Sequence, residues 1–285
     1  MNYLEKRKIT DQLFKYFGIF CTSIGLIVLG VLLFKVFSDG FGRLSLDFFT
    51  ALPSRFPEKA GILTAWTGTL WIFVLTLLIA IPLGVGAAIY LEEYSKKGFI
   101  SNVLEVNIAN LAGIPSIIYG ILGLAIFVRT FHLGESVLSG ALILSLLIMP
   151  IIVVSTRESL RAVPKTIKEA SQAMGASQWQ TIWHQLLPAA FPNIITGIIL
   201  ALSRAIGETA PLIMIGALTY VPFVAKTPLD EFTVLPIQIF NWISRPQEGF
   251  AINAAAGIII LLTIVFVLNG IAVFIRQRAR NKIKW

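Results

Sequence analysis

Residues 62–90 read ILTAWTGTLWIFVLTLLIAIPLGVGAAIY, an uninterrupted run from Ile62 to Tyr90 without one Asp, Glu, Lys or Arg. A helix crossing the hydrocarbon core of a bilayer needs about 20 mostly apolar residues. This run exceeds that length, which leaves room for tilt or a kink. Working outward from it, further apolar stretches lie at Tyr16–Phe37, Val103–Val128, Val137–Val154, Phe191–Tyr220 and Ala251–Ile275, so six spans are expected. The composition agrees: 56% of the 285 residues are hydrophobic, 13% are charged, and the mean hydropathy is +0.82. Such a chain cannot furnish an ordinary water-facing surface, and its main solvent must be lipid. The expected fold class is all-α integral membrane, with six transmembrane helices.

Lysine and arginine set the orientation, because cationic loops resist translocation and stay on the cytoplasmic side. Six crossings leave both termini on one side. If that side is the cytoplasm, it holds Lys6, Arg7, Lys8 and Lys15, the Lys96 and Lys97 turn, the loop from Arg157 to Lys168, and the tail carrying Arg276, Arg278, Arg280, Lys282 and Lys284: 15 of the 23 cations. Lys35, Arg43, Arg55, Lys59, Arg129, Lys226 and Arg245 fall outside, and Arg204 falls within the membrane. Both termini are therefore expected in the cytoplasm. A basic tail against anionic lipid headgroups accounts for the net charge of +8 without nucleic acid as a partner. The charged start and first apolar run read as a retained span, since the run is too long for a signal peptide and lacks a small-residue cleavage site. Cys21, the single cysteine, has no partner for an intrachain disulfide.

Three regions break the hydrophobic pattern. The first is the loop 155–188 between the fourth and fifth spans. Pro164 suits a helix start, and Lys165 to Met174 then puts Ile167, Ala170, Ala173 and Met174 on one face. Gly175 can end that helix in a left-handed conformation. A second short helix, Gln178 to Leu187, carries Trp179, Ile182, Trp183 and Leu186 on its apolar side until Pro188 begins the next span. By periodicity alone the pair reads as an amphipathic loop lying on headgroups. Yet Glu169-Ala170-Ser171, then Gly175, Ile182 and Leu187-Pro188, resembles the EAA loop of bacterial ABC importer permeases, with serine in place of the third alanine. The stretch from Ile182 to Pro188 is longer than the common form, unless Leu186 stands for the isoleucine. The resemblance implies a type I importer permease fold with cytoplasmic coupling helices that dock on a separate ATPase. Glu169, Ala170, Ser171 and Gly175 are then the coupling residues.

The second region is Ser203 to Pro211, in the fifth span. An arginine at the bilayer centre costs at least ~2.5–3.5 kcal/mol on insertion scales, so Arg204 needs a partner or a polar cavity. Glu208, four residues on, lies on the same helical face. The two can form a self-neutralising pair that fixes packing, or a fixed charge on a transport pathway that Glu208 holds when empty and releases as substrate passes. Gly207 would permit close backbone approach, and Pro211 invites a kink. The run Arg204-Ala205-Ile206-Gly207-Glu208-Thr209-Ala210-Pro211 resembles the signature of phosphate importer permeases, and its Thr-Ala-Pro ending is similar to the PstA subunit rather than PstC. The segments 113–120 and 232–242 are also similar to PstA sequences. The resemblance implies a substrate pathway through Arg204, Glu208 and Thr209. It also implies a PstC-like sister permease, two copies of an ATPase that binds the ATP and magnesium, and an extracytoplasmic phosphate-binding protein. A guanidinium is a planar fork suited to tetrahedral oxyanions.

The third region, Gly113 to Gly123, contains Pro115 and the hydroxyls of Ser116 and Tyr119. It reads either as a packing feature or as a broken helix lining a cavity. No Gly-x-x-x-x-Gly-Lys-[Ser/Thr] loop occurs, so ATP hydrolysis and a resident cofactor are not expected of this chain. His132 and His184 lie on opposite sides of the expected membrane, and no catalytic set is visible. Other readings are a permease for a different oxyanion, a gradient-driven transporter, which would show inverted repeats, and a scaffold, which would leave Arg204 unexplained. The expected organisation is a first span with its flanks over 1–60, a five-helix permease core over 61–276 containing the loop 155–188, and a basic tail over 277–285.

Overall fold

The computed structural model describes residues 3–95, 98–217 and 220–281. Among these the chain is helical, with one isolated bridge, Ser136 to Glu231, as its only extended pairing. The helices are α1 (Tyr3–Gly40), α2 (Leu46–Thr50), α3 (Leu63–Ile89), α4 (Phe99–Leu111), α5 (Ser116–Gly123), α6 (Val137–Arg161) and α7 (Lys165–Ala173). They continue as α8 (Gln178–Thr181), α9 (Leu187–Gly207), α10 (Ala210–Met214), α11 (Leu235–Ile243) and α12 (Glu248–Arg280). Among the described residues, five helical stretches are long and apolar enough to cross a membrane: Thr10–Arg43, Leu63–Tyr94, Val137–Arg161, Gln178–Gly207 and Glu248–Arg280.

The expected third span is divided. Helix α4 stops at Leu111, the chain turns through 112–115, and α5 resumes at Ser116 and runs through a π-helical stretch, Leu124–Thr130. Pro115 has no N–H for the ladder and disfavours helical geometry in the residue before it, which separates the halves. The Tyr119 hydroxyl donates to the Leu111 carbonyl at 2.8 Å and ties them together.

The expected fifth span differs at both ends. It begins at Gln178 rather than Phe191, because Pro188 does not interrupt it. A π-helical turn, Ile182–Leu186, precedes the proline and shifts the carbonyls that its ring would meet. At the other end the helix does not reach Tyr220. It stops at Gly207, Glu208 is extended (φ −78°, ψ 121°), and α10 restarts with Pro211 near its N-terminus, where a missing N–H costs nothing. The fourth span runs past the expected Val154 to Arg161, so the first residues of the loop 155–188 belong to α6.

Helices α3 and α6 pack along most of their length, and α9 lies against α6 through Gly197, whose missing side chain admits Ser155. Ile72, Ile143, Ile148, Ile152, Leu202 and Leu212 fill the core between them. A second core gathers Phe48, Ile62, Leu235, Trp242 and Phe250 where α2, α11 and the start of α12 meet α3. By contrast, none of the apolar stretch of α1 is buried, and its contact with the body is at its C-terminal end, where Gly40 meets the backbone of Ala255 and Ala256. Antiparallel packing thus puts the start of α1, the end of α12, α7 and α8 at one end of the bundle, called proximal below. The loops around α2 and residues 220–234 lie at the distal end.

Candidate functional site

Arg204 lies in the last turn of α9, two residues from buried Leu202 and next to buried Ala205, so the helix anchors its stem while its guanidinium faces outward. Its depth follows from packing. Gly197 rests on Ser155, Gly123 rests on Ile143, and those two α6 residues are about 18 Å apart along the axis. Arg204, about 10 Å beyond Gly197, is level with the middle of that interval. The arginine therefore sits at mid-depth in the bundle, as its sequence position suggests. Its Nε lies 3.4 Å from Glu208 Oε1, and the two side chains are 40% and 19% exposed. That separation is long for an ion pair, and among the described residues no hydrogen bond engages the outer nitrogens of the guanidinium fork.

Glu208 belongs to no helix. It occupies the break between α9 and α10 and borders a narrow cleft lined by Thr69, Phe73, Thr76, Leu212 and Pro236. Thr209 follows, with its hydroxyl 3.4 Å from the Gly207 carbonyl. Gly207 itself faces open space, so the close approach expected there does not occur. It occurs at Gly120 instead, where an added Cβ would lie 2.7 Å from Pro211 Cα. The two broken spans thus meet a few residues past their interruptions, α5 on α10. Sequence reading identified both breaks separately; nothing in the linear pattern paired them.

The loop 155–188 forms two helices joined at a glycine, but with different faces from those expected. Gly175 has φ +87°, the left-handed turn its position implies. Glu169 and Ala170 project into the surroundings, whereas Ser171 turns inward and its hydroxyl lies 2.9 Å from that of buried Thr181. Of the face Ile167, Ala170, Ala173 and Met174, only Ile167 packs on the core beneath, and Met174 is 89% exposed. Ile182 and Leu186 are buried as read, but Trp179 and Trp183 stack on each other at 5.6 Å and face out. They line an apolar groove of about 840 Å³ with Tyr90, Tyr94, Pro82 and Phe191.

A cluster of ionised groups at the proximal end went unread in the sequence. Arg157, only 7% exposed, lies 3.3 Å from Glu92 and 3.0 Å from Glu105. Arg161 lies 2.9 Å from Glu92, and Lys168 of α7 lies 2.5 Å from Glu93. The available signal was the pair Arg157 and Arg161, four apart at the end of one apolar run, with Glu92-Glu93 ending another. Lys96, Lys97, Lys282 and Lys284, counted above for orientation, lie outside the described residues.

Residues 80–281 match the profile of the binding-protein-dependent transport system inner membrane component. Over 275 residues the chain is 34% identical to the probable ABC transporter permease protein YqgI of Bacillus subtilis (strain 168), an alignment covering 91% of this chain and 93% of that protein. It is 33% identical to the phosphate transport system permease protein PstA of Haemophilus influenzae, with 92% of each covered. Among solved structures, a bacterial ABC transporter involved in the import of alginate superposes with a TM-score of 0.69 at 17% identity, over 97% of this chain and 99% of that one. The MetNI methionine ABC transporter superposes at 0.59 and 18% identity, over 74% and 94%. These structural likenesses concern the fold alone.

Proposed function

This chain belongs to the family of binding-protein-dependent transport system inner membrane components, and from that premise we propose that it is the PstA-type permease of an ATP-driven phosphate importer. The observation that carries the substrate reading is Arg204: a half-exposed guanidinium at mid-depth, next to a helix break, with one loose carboxylate partner. A permanent cation there favours an anion in transit, and its fork of donors fits tetrahedral oxygens. The names of the PstA relatives support the same choice. Glu208 holds Arg204 while the pathway is empty, and Thr209 offers a hydroxyl beside it.

The proximal end, with its lysines and arginines, faces the cytoplasm of a bacterial cell. There Glu169, Ala170 and Gly175 dock α7 on an ATPase that binds the ATP and magnesium, while Ser171 acts from within by fastening α7 to α8. A PstC-like sister permease completes the pathway, two ATPase copies serve it, and an extracytoplasmic phosphate-binding protein delivers the anion. The core over 61–276 carries these contacts, and the basic tail lies against lipid headgroups.

The test is radiolabelled phosphate uptake by vesicles carrying all the components, wild type against Arg204→Gln, with copurified ATPase as the check on assembly. Loss of uptake with assembly intact is the expected result. Unchanged uptake returns Arg204 and Glu208 to helix packing, and stronger competition by sulfate than by unlabelled phosphate moves the substrate to another oxyanion.

A further inference from the structure

The proximal ion cluster has a layout that packing alone does not demand. The last turn of the second span, Tyr90–Tyr94, is π-helical, and it sends the consecutive residues Glu92 and Glu93 to different neighbours. Glu92 turns to α6, where Arg157 and Arg161 bracket it at 3.3 and 2.9 Å. Glu93 turns to the short helices: its carboxylate meets Lys168 of α7 at 2.5 Å, and its carbonyl accepts from the Gln178 side chain at the start of α8. Glu93 is 8% exposed and Arg157 7%, so these charges sit largely out of water. Glu105 of α4 closes the cluster from the far side, at 3.0 Å from Arg157 and 3.6 Å from Arg161. Charged groups thus meet from the turn that ends α3 (Glu92, Glu93), from α4 (Glu105), from α6 (Arg157, Arg161) and from α7 (Lys168), and α4 is the first half of the broken span whose second half rests on Pro211.

We infer that Glu93 and Lys168 are positioning residues that lock the coupling helices to the end of α3, so that α7, α8 and the span move as one body, and that Arg157 with Glu92 and Glu105 carries the displacement on to α6 and α4. The inference rests on the reading that α7 docks an ATPase. Its physical basis is that an ion pair with one buried member tolerates little separation: pulling it apart strands the charge of Glu93 or Arg157 where water scarcely reaches it, although Lys168 and Glu105, at 34% and 44% exposed, remain in contact with solvent. A hydrophobic contact, lacking direction, can slide instead. Lys168 immediately precedes Glu169, so the residue that holds the span and the residue that faces the partner share one turn of α7.

The experiment uses the assembled transporter in lipid nanodiscs, with exposed Cys21 changed to serine and spin labels on Cys introduced at Gln172 of α7 and Leu83 of α3, both exposed. The lock predicts one narrow Gln172 to Leu83 distance, the same with and without ATP. Glu93→Gln should broaden it, and Glu93→Lys with Lys168→Glu should narrow it again. Lys168→Met, on the more exposed partner, gives the same reading if Glu93→Gln does not assemble. A wild-type distance that shifts with ATP, or a Glu93→Gln or Lys168→Met distribution as narrow as wild type, overturns the lock. ATP-driven uptake in the single variants should fall about tenfold with the ATPase still bound, the range of residues that transmit between sites. Absence of phosphate uptake in wild type would count against the phosphate reading alone, because the distance measurement decides the lock without substrate.

Discussion

Gly175 stands in open space, with nothing within 4 Å of where a side chain would begin, yet it has φ +87°. Its constraint is conformational rather than steric. Gly175→Ala should therefore cost about 1–2 kcal/mol through the left-handed backbone alone, seen as faster amide exchange along α7 and weaker retention of the ATPase. Arg204→Lys keeps the charge and loses the planar fork; phosphate uptake should drop while assembly is unchanged, a split that a purely structural cation would not give. In the distal loop, Asp230 accepts from the Thr227 hydroxyl and from the backbone N–H groups of Thr227 and Lys226, which hold its carboxyl below the usual carboxylate range. A depressed acid contributes order above its unfolded pKa and loses it as pH falls through the folded one. Hydrogen exchange at Lys226 and Thr227, corrected for intrinsic rates, should thus show protection at neutral pH that disappears once Asp230 is protonated, and Asp230→Asn should lack it throughout.

At the scale of elements, the contact between the two interrupted spans is the most exposed to mutation. Gly120→Leu must drive α5 from Pro211 and Met214. Transport should fall sharply while the protein still inserts, whereas Gly86→Ala, where the added Cβ meets nothing within 4 Å, should be tolerated. Uptake set against the amount of membrane-inserted protein separates the two. The runs of apolar residues made the spans legible, because length and hydropathy are properties of the segment itself. Pro115 marked its break for the same local reason. Pro188 misled, since the π-helical turn before it absorbs the proline and keeps the helix going. The break after Gly207 was half legible: Pro211 announced an irregularity but not its place at Glu208, which the seat of α10 on α5 decides. The Glu93–Lys168 and Arg157–Glu105 pairs join residues far apart in the chain, and no periodicity records such pairings.

For the molecule as a whole, Arg43 holds the distal end together through amide and carbonyl partners and an aromatic ring. Its Nε donates to Asn253 Oδ1 at 2.9 Å, its Nη2 to the Glu58 and Ala60 carbonyls at 2.6 and 3.2 Å, and its guanidinium lies 5.0 Å from the Phe48 ring centre. Arg43→Ala should lower unfolding stability by about 2 kcal/mol, as expected for lost hydrogen bonds from a charged donor, read by thermal unfolding in nanodiscs. The same bond bears on biosynthesis. Arg43 and Asn253 are 210 residues apart, so a ribosome working at ~5–20 residues per second delivers the second about 10–40 s after the first. Through that interval α1, which buries none of its apolar stretch in the rest of the chain, is retained by the bilayer alone. It is made before the helices it packs against and is among the last to be fastened.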